Sequence, residues 1–218
     1  MDIRAAVAVA HARGLPMRLD ELNSVSCKGQ TGLSDTFASA LWALQALYGM
    51  ARTGVDGVNI HTLDDVPYEP FAFSQPSGRW QASVKPLYYG LLAFARAAPA
   101  GARFLRTTTP GREGDMRSWA TRASDGTVRL VLINNSSQRS RVIAVRPPAP
   151  ATGAATLERL TAPSLTATSG VSLGGQSYGA STATGQLAGP LQTAALDPVQ
   201  GRYVVSLPPA SAALVTWR

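Results

Sequence analysis

Apolar positions along this chain follow two different rhythms, and the change falls near residue 98. Before it, apolar residues recur at helical spacing; after it, they sit in short segments separated by Thr, Ser, Gly and Pro. Ile3 to Arg13 reads as an Ala/Val-rich helix stopped at Gly14. Met17 to Leu19 follows as a short strand behind Pro16, and Glu21 to Thr31 reads as a polar loop. Ser34 has the character of a helix N-cap, with Asp35 suited to the positive end of the helix dipole. Phe37, Leu41, Leu44, Leu47 and Tyr48 then keep helical spacing to about Arg52, and Gly54 ends that helix. Val55 to Ile60 predicts a second strand, and His61 to Val84 a long loop. Pro86 opens a helix from Leu87 to Ala98.

The order helix, strand, helix, strand, helix, with long loops after the strands, is that of strand–helix units in a parallel sheet or barrel. Two strands cannot close a barrel, and an eight-stranded one takes roughly 200 residues or more. The second stretch reads as all-β. Candidate strands are Ala102–Thr107, Met116–Ala123, Val128–Asn134, Arg141–Val145, Ala155–Leu160, Tyr203–Leu207 and Ala212–Trp217. Val128–Asn134 is apolar almost throughout, as a central strand would be, and Ser124-Asp125-Gly126 marks a turn. Regular short strands with turn residues predict an antiparallel sandwich. Residues 161–200 read as long loops with one or two edge strands.

Composition adds little to this picture and removes a few alternatives. With 45% hydrophobic and 15% charged residues the chain has globular character. Its longest apolar stretch, Phe37 to Met50, is too short and too interrupted to span a bilayer. Met1 to Ala12 lacks the basic start and unbroken apolar run of a secretory signal. The net charge of +7 could attract an acidic polymer, but the arginines are scattered and form no run, so compositional bias is the preferred reading and nucleic acid is not an expected partner. Cys27 is the single cysteine, which excludes a disulfide within these 218 residues. Two histidines and one cysteine, far apart, make no metal site, no phosphate-binding loop follows a strand, and Gly-x-Ser-x-Gly does not occur. No cofactor is expected.

Chemistry concentrates in Leu19-Asp20-Glu21-Leu22-Asn23-Ser24, where carboxylates stand at the C-terminal end of a strand. In barrel enzymes that end of the strands carries the active site. Cleavage of a glycosidic bond needs two carboxyl groups, roughly 5–5.5 Å apart when configuration is retained. Asp20 and Glu21 point to opposite sides of a regular strand, and the pattern alone leaves open which one faces the barrel mouth.

ELNSVSCKGQTGLSDTFASALWAL, from Glu21 to Leu44, resembles the nucleophile strand, loop and following helix of glycoside hydrolase family 79, the family of β-glucuronidases and heparanases. The likeness continues in GVDGVNIH, from Gly54 to His61, which resembles the final barrel strand. It extends to VKPLYYGLLAF, from Val84 to Phe94, which is similar to the last barrel helix. The closing LPPASAALV, from Leu207 to Val215, is similar to the last strand of the family's C-terminal β domain. The resemblance implies the last two strand–helix units of a (β/α)8 barrel over residues 1–98, followed by a β-sandwich over residues 99–218.

It also implies roles. Glu21 would be the nucleophile, and the loop bearing Asn23, Ser24, Cys27, Lys28 and Gly29 would lie against the sugar. Relatives grip a uronic carboxylate with that loop, partly through backbone N–H groups. Gly29 would permit close approach, and Lys28 would add either charge attraction or only a solvated side chain. His61, at the second strand's end, could hydrogen-bond a sugar hydroxyl. Tyr68, Phe71, Phe73 and Trp80 in the following loop could stack on sugars, but packing is expected for most; Tyr88 and Tyr89 are expected in the core. The general acid/base should come from an upstream strand, usually as Asn-Glu. That pair does not occur here, and Asp64, Asp65, Glu69, Glu113, Asp115, Asp125, Glu158 and Asp197 sit in loops or in the sandwich.

The expected function is therefore that of a C-terminal fragment of a retaining glycosidase acting on β-glucuronides or related uronic-acid glycans. It would be inactive alone, with the upstream part of the barrel as its partner and a parent in secreted or cell-envelope space. The alternative is a non-catalytic carbohydrate-binding or structural sandwich module.

Overall fold

The computed structural model describes residues 2–109 and 115–218, so Glu113 lies outside the described residues. Its first part holds α1 (Ile3–His11), β1 (Arg18–Leu22), α2 (Phe37–Thr53), β2 (Gly57–Ile60), β3 (Phe71–Ser74), β4 (Gln81–Val84) and α3 (Pro86–Ala97). Its second part holds β5 (Arg103–Leu105), β6 (Met116–Arg122), β7 (Val128–Asn134), β8 (Arg141–Val145) and β9 (Ala155–Thr161). After them come β10 (Ser172–Leu173), β11 (Ala194–Leu196), β12 (Tyr203–Leu207) and β13 (Ser211–Trp217).

A seven-stranded sheet organises the molecule. Its order is β10-β9-β13-β7-β6-β5, with β11 also on β9. Strand residues alternate between two apolar faces, because successive side chains point oppositely. On one face Trp119, Val131, Ile133, Leu160, Ala212 and Leu214 pack with Tyr48 of α2 and Tyr89, Ala93 and Ala97 of α3. On the other, Ala120, Leu130, Leu132, Leu157, Ala213 and Val215 pack with Tyr203, Val205 and Leu207 of the β12–β8 ribbon. The near-continuous apolar run of β7 follows from this double burial. Of the one or two edge strands expected between residues 161 and 200 the structure has two, β10 and β11, both along the outer edge of β9.

The helices are bound to the sheet by polar as well as apolar contacts. Tyr48 stacks on Trp119 at 5.1 Å and meets Phe94 edge-on at 4.9 Å. The Tyr178 N–H donates to Tyr89 Oη (2.8 Å), Thr121 Oγ1 donates to the Ala97 carbonyl (2.6 Å), and Arg96 reaches Glu158 at 2.8 Å. The start of α2 corrects the sequence reading. Its N-cap is Thr36, which makes no side-chain capping bond, and the first N–H groups of the helix donate to carbonyls of a distant loop, Phe37 to Ala167 (2.8 Å) and Ala38 to Leu165 (2.9 Å). Orphan donors at a helix start need acceptors, and here tertiary structure supplies them. Ser34 is buried and serves the preceding loop instead.

β1 and β2 form a two-stranded parallel sheet. β1 runs on to Leu22, so Glu21 lies within the strand and not in the loop behind it, and the strand is mostly exposed. Asp56 ties the start of this sheet to α1: its carboxylate bonds His11 Nε2 (2.8 Å) and accepts from the Met17 N–H (2.7 Å). The region expected as one long loop contains the β3–β4 hairpin, whose Phe71 faces Tyr88 of α3 at 4.7 Å. No helix among the described residues is long and apolar enough to cross a membrane.

Two outcomes follow. Gly90 of α3 is where the two long helices meet, and a Cβ there would stand 2.2 Å from the Ala40 carbonyl oxygen. Gly90→Ala should cost about 1–3 kcal/mol in chemical denaturation despite alanine's better helix propensity, because the backbone of α2 cannot yield as a side chain could. The Asp56 carboxyl is held below its ordinary 3.8, first by the His11 hydrogen bond and then by the Met17 N–H. A carboxyl that is harder to protonate folded than unfolded stabilises the fold above the unfolded value and loses that contribution as pH falls through the lowered one. Asp56→Asn should therefore flatten the acid limb of stability against pH, read by thermal melts below about pH 5.

Candidate active site

Glu21 stands at the end of β1 where the pairing with β2 slips: Leu19 is opposite Val58, and Leu22 is opposite Ile60. Three steps on one strand match two on the other, so β1 carries an extra residue between them. Such an irregularity re-aims side chains and ends regular pairing. The Glu21 side chain is 73% exposed, and its Oε1 lies 3.7 Å from Nδ1 of His61, the residue following β2. Asp20 is exposed in the same strand with no such neighbour described.

His61 is fixed from three directions. Its N–H donates to the Leu22 carbonyl (3.1 Å), its own carbonyl accepts from Asn23 Nδ2, and its Nδ1 shares a 3.0 Å hydrogen bond with Tyr68 Oη. Asn23 is thus a strut between the ends of the two strands, and its Oδ1 also accepts from the Ser24 N–H (2.7 Å). Ser24 Oγ in turn donates to Ser34 Oγ (2.9 Å), which also accepts from the Gln30 N–H (3.1 Å). The polar loop is closed on itself by a buried hydroxyl.

The crown of that loop is Cys27, Lys28 and Gly29, all in the left-handed region, with φ of 58°, 74° and 81°. For Cys27 and Lys28 this conformation is uncommon and costs energy that the surrounding contacts must offset. Gly29 has a steric reason as well: a Cβ there would lie 2.8 Å from Tyr68 Cδ1 and 3.2 Å from Ser34 Oγ. The loop therefore lies directly on the Tyr68 ring, which is only 3% exposed. Cys27 and Lys28 are exposed at the tip.

Every candidate thus lies at one end of the parallel pair. Glu21, Asn23, Gly29 and His61 are joined through shared neighbours, Ser24 braces the loop, and Cys27 and Lys28 sit at its tip without a described contact to Glu21. Tyr68 and Ser34 are the members that sequence reasoning did not assign. Tyr68 touches both His61 and the glycine loop, yet it lies in an aperiodic segment where nothing distinguishes it from its aromatic neighbours. Among the described residues, no group of His, Cys, Asp and Glu could hold a metal ion.

Comparisons with known proteins bear on this arrangement. No curated protein matches the sequence. The family model described as the glycosyl hydrolase family 79 C-terminal beta domain matches residues 118–214. Among solved structures, a 4-O-α-L-rhamnosyl-β-D-glucuronidase from Fusarium oxysporum 12S is similar, with TM-score 0.79 and 21% identity over 98% of this chain and 46% of that one. A GH51 α-L-arabinofuranosidase from Thermotoga petrophila RKU-1 gives TM-score 0.66 and 13% identity over 99% and 46%. The catalytic domain of GH30 xylanase C from Talaromyces cellulolyticus gives TM-score 0.58 and 14% identity over 93% and 40%. The chain spans less than half the length of each of these structures, and at such identities the likeness is one of fold, a mixed helix-and-strand fold shared with glycoside hydrolases. Residues 118–214, which match the glycosyl hydrolase family 79 C-terminal beta domain, pack here against the helices that follow the bulged strand and its carboxylate.

Proposed function

We propose that this chain supplies the nucleophile half of a retaining glycosidase acting on β-glucuronides or related uronic-acid glycans. Residues 1–98 would be the last two strand–helix units of its (β/α)8 barrel, and residues 99–218 a β-sandwich behind them. The observation that carries this reading is the position of Glu21: an exposed carboxylate at a slipped strand end, 3.7 Å from a histidine that Asn23 and Tyr68 hold in place. It lies at the C-terminal end of a parallel strand pair, where barrel enzymes build their sites.

In that mechanism a Glu21 oxygen attacks the anomeric carbon while a second carboxylic acid, contributed by sequence outside these residues, gives its proton to the departing glycosidic oxygen. A glycosyl ester of Glu21 results. Water then attacks the same carbon, the second residue now taking the water's proton, and the C–O bond to Glu21 breaks to restore the carboxylate. His61 and Tyr68 would orient Glu21 and could offer hydrogen bonds to a ring hydroxyl. The loop at Cys27, Lys28 and Gly29 would border the sugar, with Lys28 giving charge attraction to a uronate. Without the second carboxyl the chain by itself would not turn over. A two-stranded parallel sheet also favours this reading, since parallel strands are ordinarily covered on both sides.

The alternative of a non-catalytic carbohydrate-binding module is opposed by one observation. The seven-stranded sheet has both faces covered, one by helices and one by the ribbon, which suits a brace for the barrel better than an open carbohydrate-binding face.

An epoxide analogue of glucuronic acid, which traps a retaining nucleophile as an ester, should label the parent enzyme on the peptide containing Glu21, read by mass spectrometry. Glu21→Gln should abolish the label and lower kcat roughly 10⁴-fold or more. Labelling of another carboxylate, or turnover retained in E21Q, would reject the assignment. Gly29→Ala should cost about 1–2 kcal/mol of stability from the left-handed backbone alone. By pushing on Tyr68 it should also raise KM for a glucuronide more than it lowers kcat, a split that steady-state kinetics would read.

A further inference from the structure

All of the net charge lies on the strand-rich part of the chain. Residues 1–98 hold eight Lys and Arg against eight Asp and Glu, whereas residues 99–218 hold twelve arginines, no lysine and five acids. These arginines form no run in sequence, but strand pairing gathers several of them at one end of the seven-stranded sheet. Arg103 of β5 stands directly opposite Arg122 of β6, and β5 is the outermost strand on that side. Directly opposed side chains have Cβ atoms roughly 5 Å apart, and like charges so placed repel. Both arginines are exposed, and among the described residues neither has an ion pair. Arg129, one strand further in and on the other face, lies opposite Thr121 with its Nη1 buried and unpartnered. Arg218 follows the Trp217–Val128 pair at the same end. The acid of the β6–β7 turn, Asp125, accepts from the Thr127 N–H (2.9 Å) and already faces Arg218 at 3.5 Å.

This end of the sheet lies away from Glu21. Ala40 meets Gly90 and Tyr48 meets Phe94, so α2 and α3 run the same way. α2 starts beyond the loop behind Glu21 and ends just before β2 begins, and Thr121, beside Arg122, donates to the carbonyl of Ala97, the last residue of α3. We propose that Arg103 and Arg122 form an anchoring surface for a linear polysaccharide of uronic acids, with Arg129 and Arg218 adding to the positive field around it. An anion lying between Arg103 and Arg122 turns their repulsion into two attractions. A guanidinium fork takes a carboxylate through two parallel N–H bonds, and a polyuronate offers carboxylates in series along its chain. Two other anionic partners fit less well. Single-stranded nucleic acid is held on aromatic platforms, and the ring on β5, Phe104, is packed toward Tyr48 at 5.9 Å. Membrane surfaces are ordinarily met by an amphipathic helix, and these arginines sit on strands.

The test uses the whole chain and needs no catalysis, so its outcome is separate from that of the glycosidase reading. A fluorescently labelled oligogalacturonate should bind at low salt, read by anisotropy, and its methyl ester should not. R103Q/R122Q should weaken that binding about tenfold or more and flatten its dependence on salt. The same pair should leave the melting temperature unchanged or raise it, because a repulsion is removed. R79Q on the hairpin removes a charge elsewhere and should leave the affinity within about twofold. Equal binding of the methyl ester, an equal loss in R79Q, or a DNA duplex bound as tightly as the uronate overturns the proposal. So does an R103Q/R122Q protein that binds the uronate unchanged and self-associates in analytical ultracentrifugation, which makes the two arginines guards against edge pairing. Binding to phosphatidylserine vesicles with none to the uronate overturns it in favour of a membrane surface.

Discussion

The rest of the molecule depends on a sheet that is apolar on both faces. Because side chains alternate along a strand, β7 and β13 send half of their residues toward α2 and α3 and half toward the β12–β8 ribbon. Neither layer alone would bury its apolar face. The helices lean on Trp119 and Ile133, the ribbon on Leu130 and Leu132, and one row of backbone separates the two cores. A change in that sheet is therefore felt on both sides, which makes the strand-rich part the foundation of the site and not an appendage to it.

Polar contacts along this junction have a particular form. They are few, short and held by groups whose alternatives are poor. The first N–H groups of α2 find carbonyls in a loop well over a hundred residues away in sequence, at Leu165 and Ala167. Arg96 and Glu158, both largely buried, pair at 2.8 Å, and Gln176 also accepts from Arg96 (3.1 Å). Such links add direction to a junction whose energy is mainly apolar, since a buried donor left without an acceptor is costly. The N–H bonds of Phe37 and Ala38 tie the start of α2 and the Arg96 pair ties α3, while Ser34 just before α2 anchors the loop that closes over Tyr68.

The site inherits its precision from this frame through a chain of small contacts. Ser34, at the foot of α2, holds the loop; the loop rests on Tyr68; Tyr68 holds His61; and His61 stands beside Glu21. Glu21 itself is exposed, so its orientation depends on neighbours more than on packing. Elsewhere, the exposed Phe73 and Trp80 of the hairpin line a groove with Asp64, Asp65 and Glu69.

Sequence by itself determined much of the element order. Gly54 and Pro86 mark a helix end and a helix start because their backbone preferences act locally, and β7, β8 and β12 have the limits read from the sequence, β7 as a near-continuous apolar run and the other two as short strands. It also singled out Glu21, Asn23, Gly29 and His61, through residue types whose resemblance to a known pattern is dense. What it could not fix were relations set by distant groups. The true start of α2 depends on carbonyls from another part of the chain, so Ser34 was the reasonable but incorrect local choice of cap. The β3–β4 hairpin went unseen because Phe71-Ala72-Phe73-Ser74 is too short, and its Pro, Ser and Gly turn too loop-like, for periodicity to register. Which of Asp20 and Glu21 meets a histidine, and which of four aromatics is buried, was decided by a strand slip and by contact with Tyr88 and Gly29. These are properties of three-dimensional proximity, and no spacing along the chain encodes them.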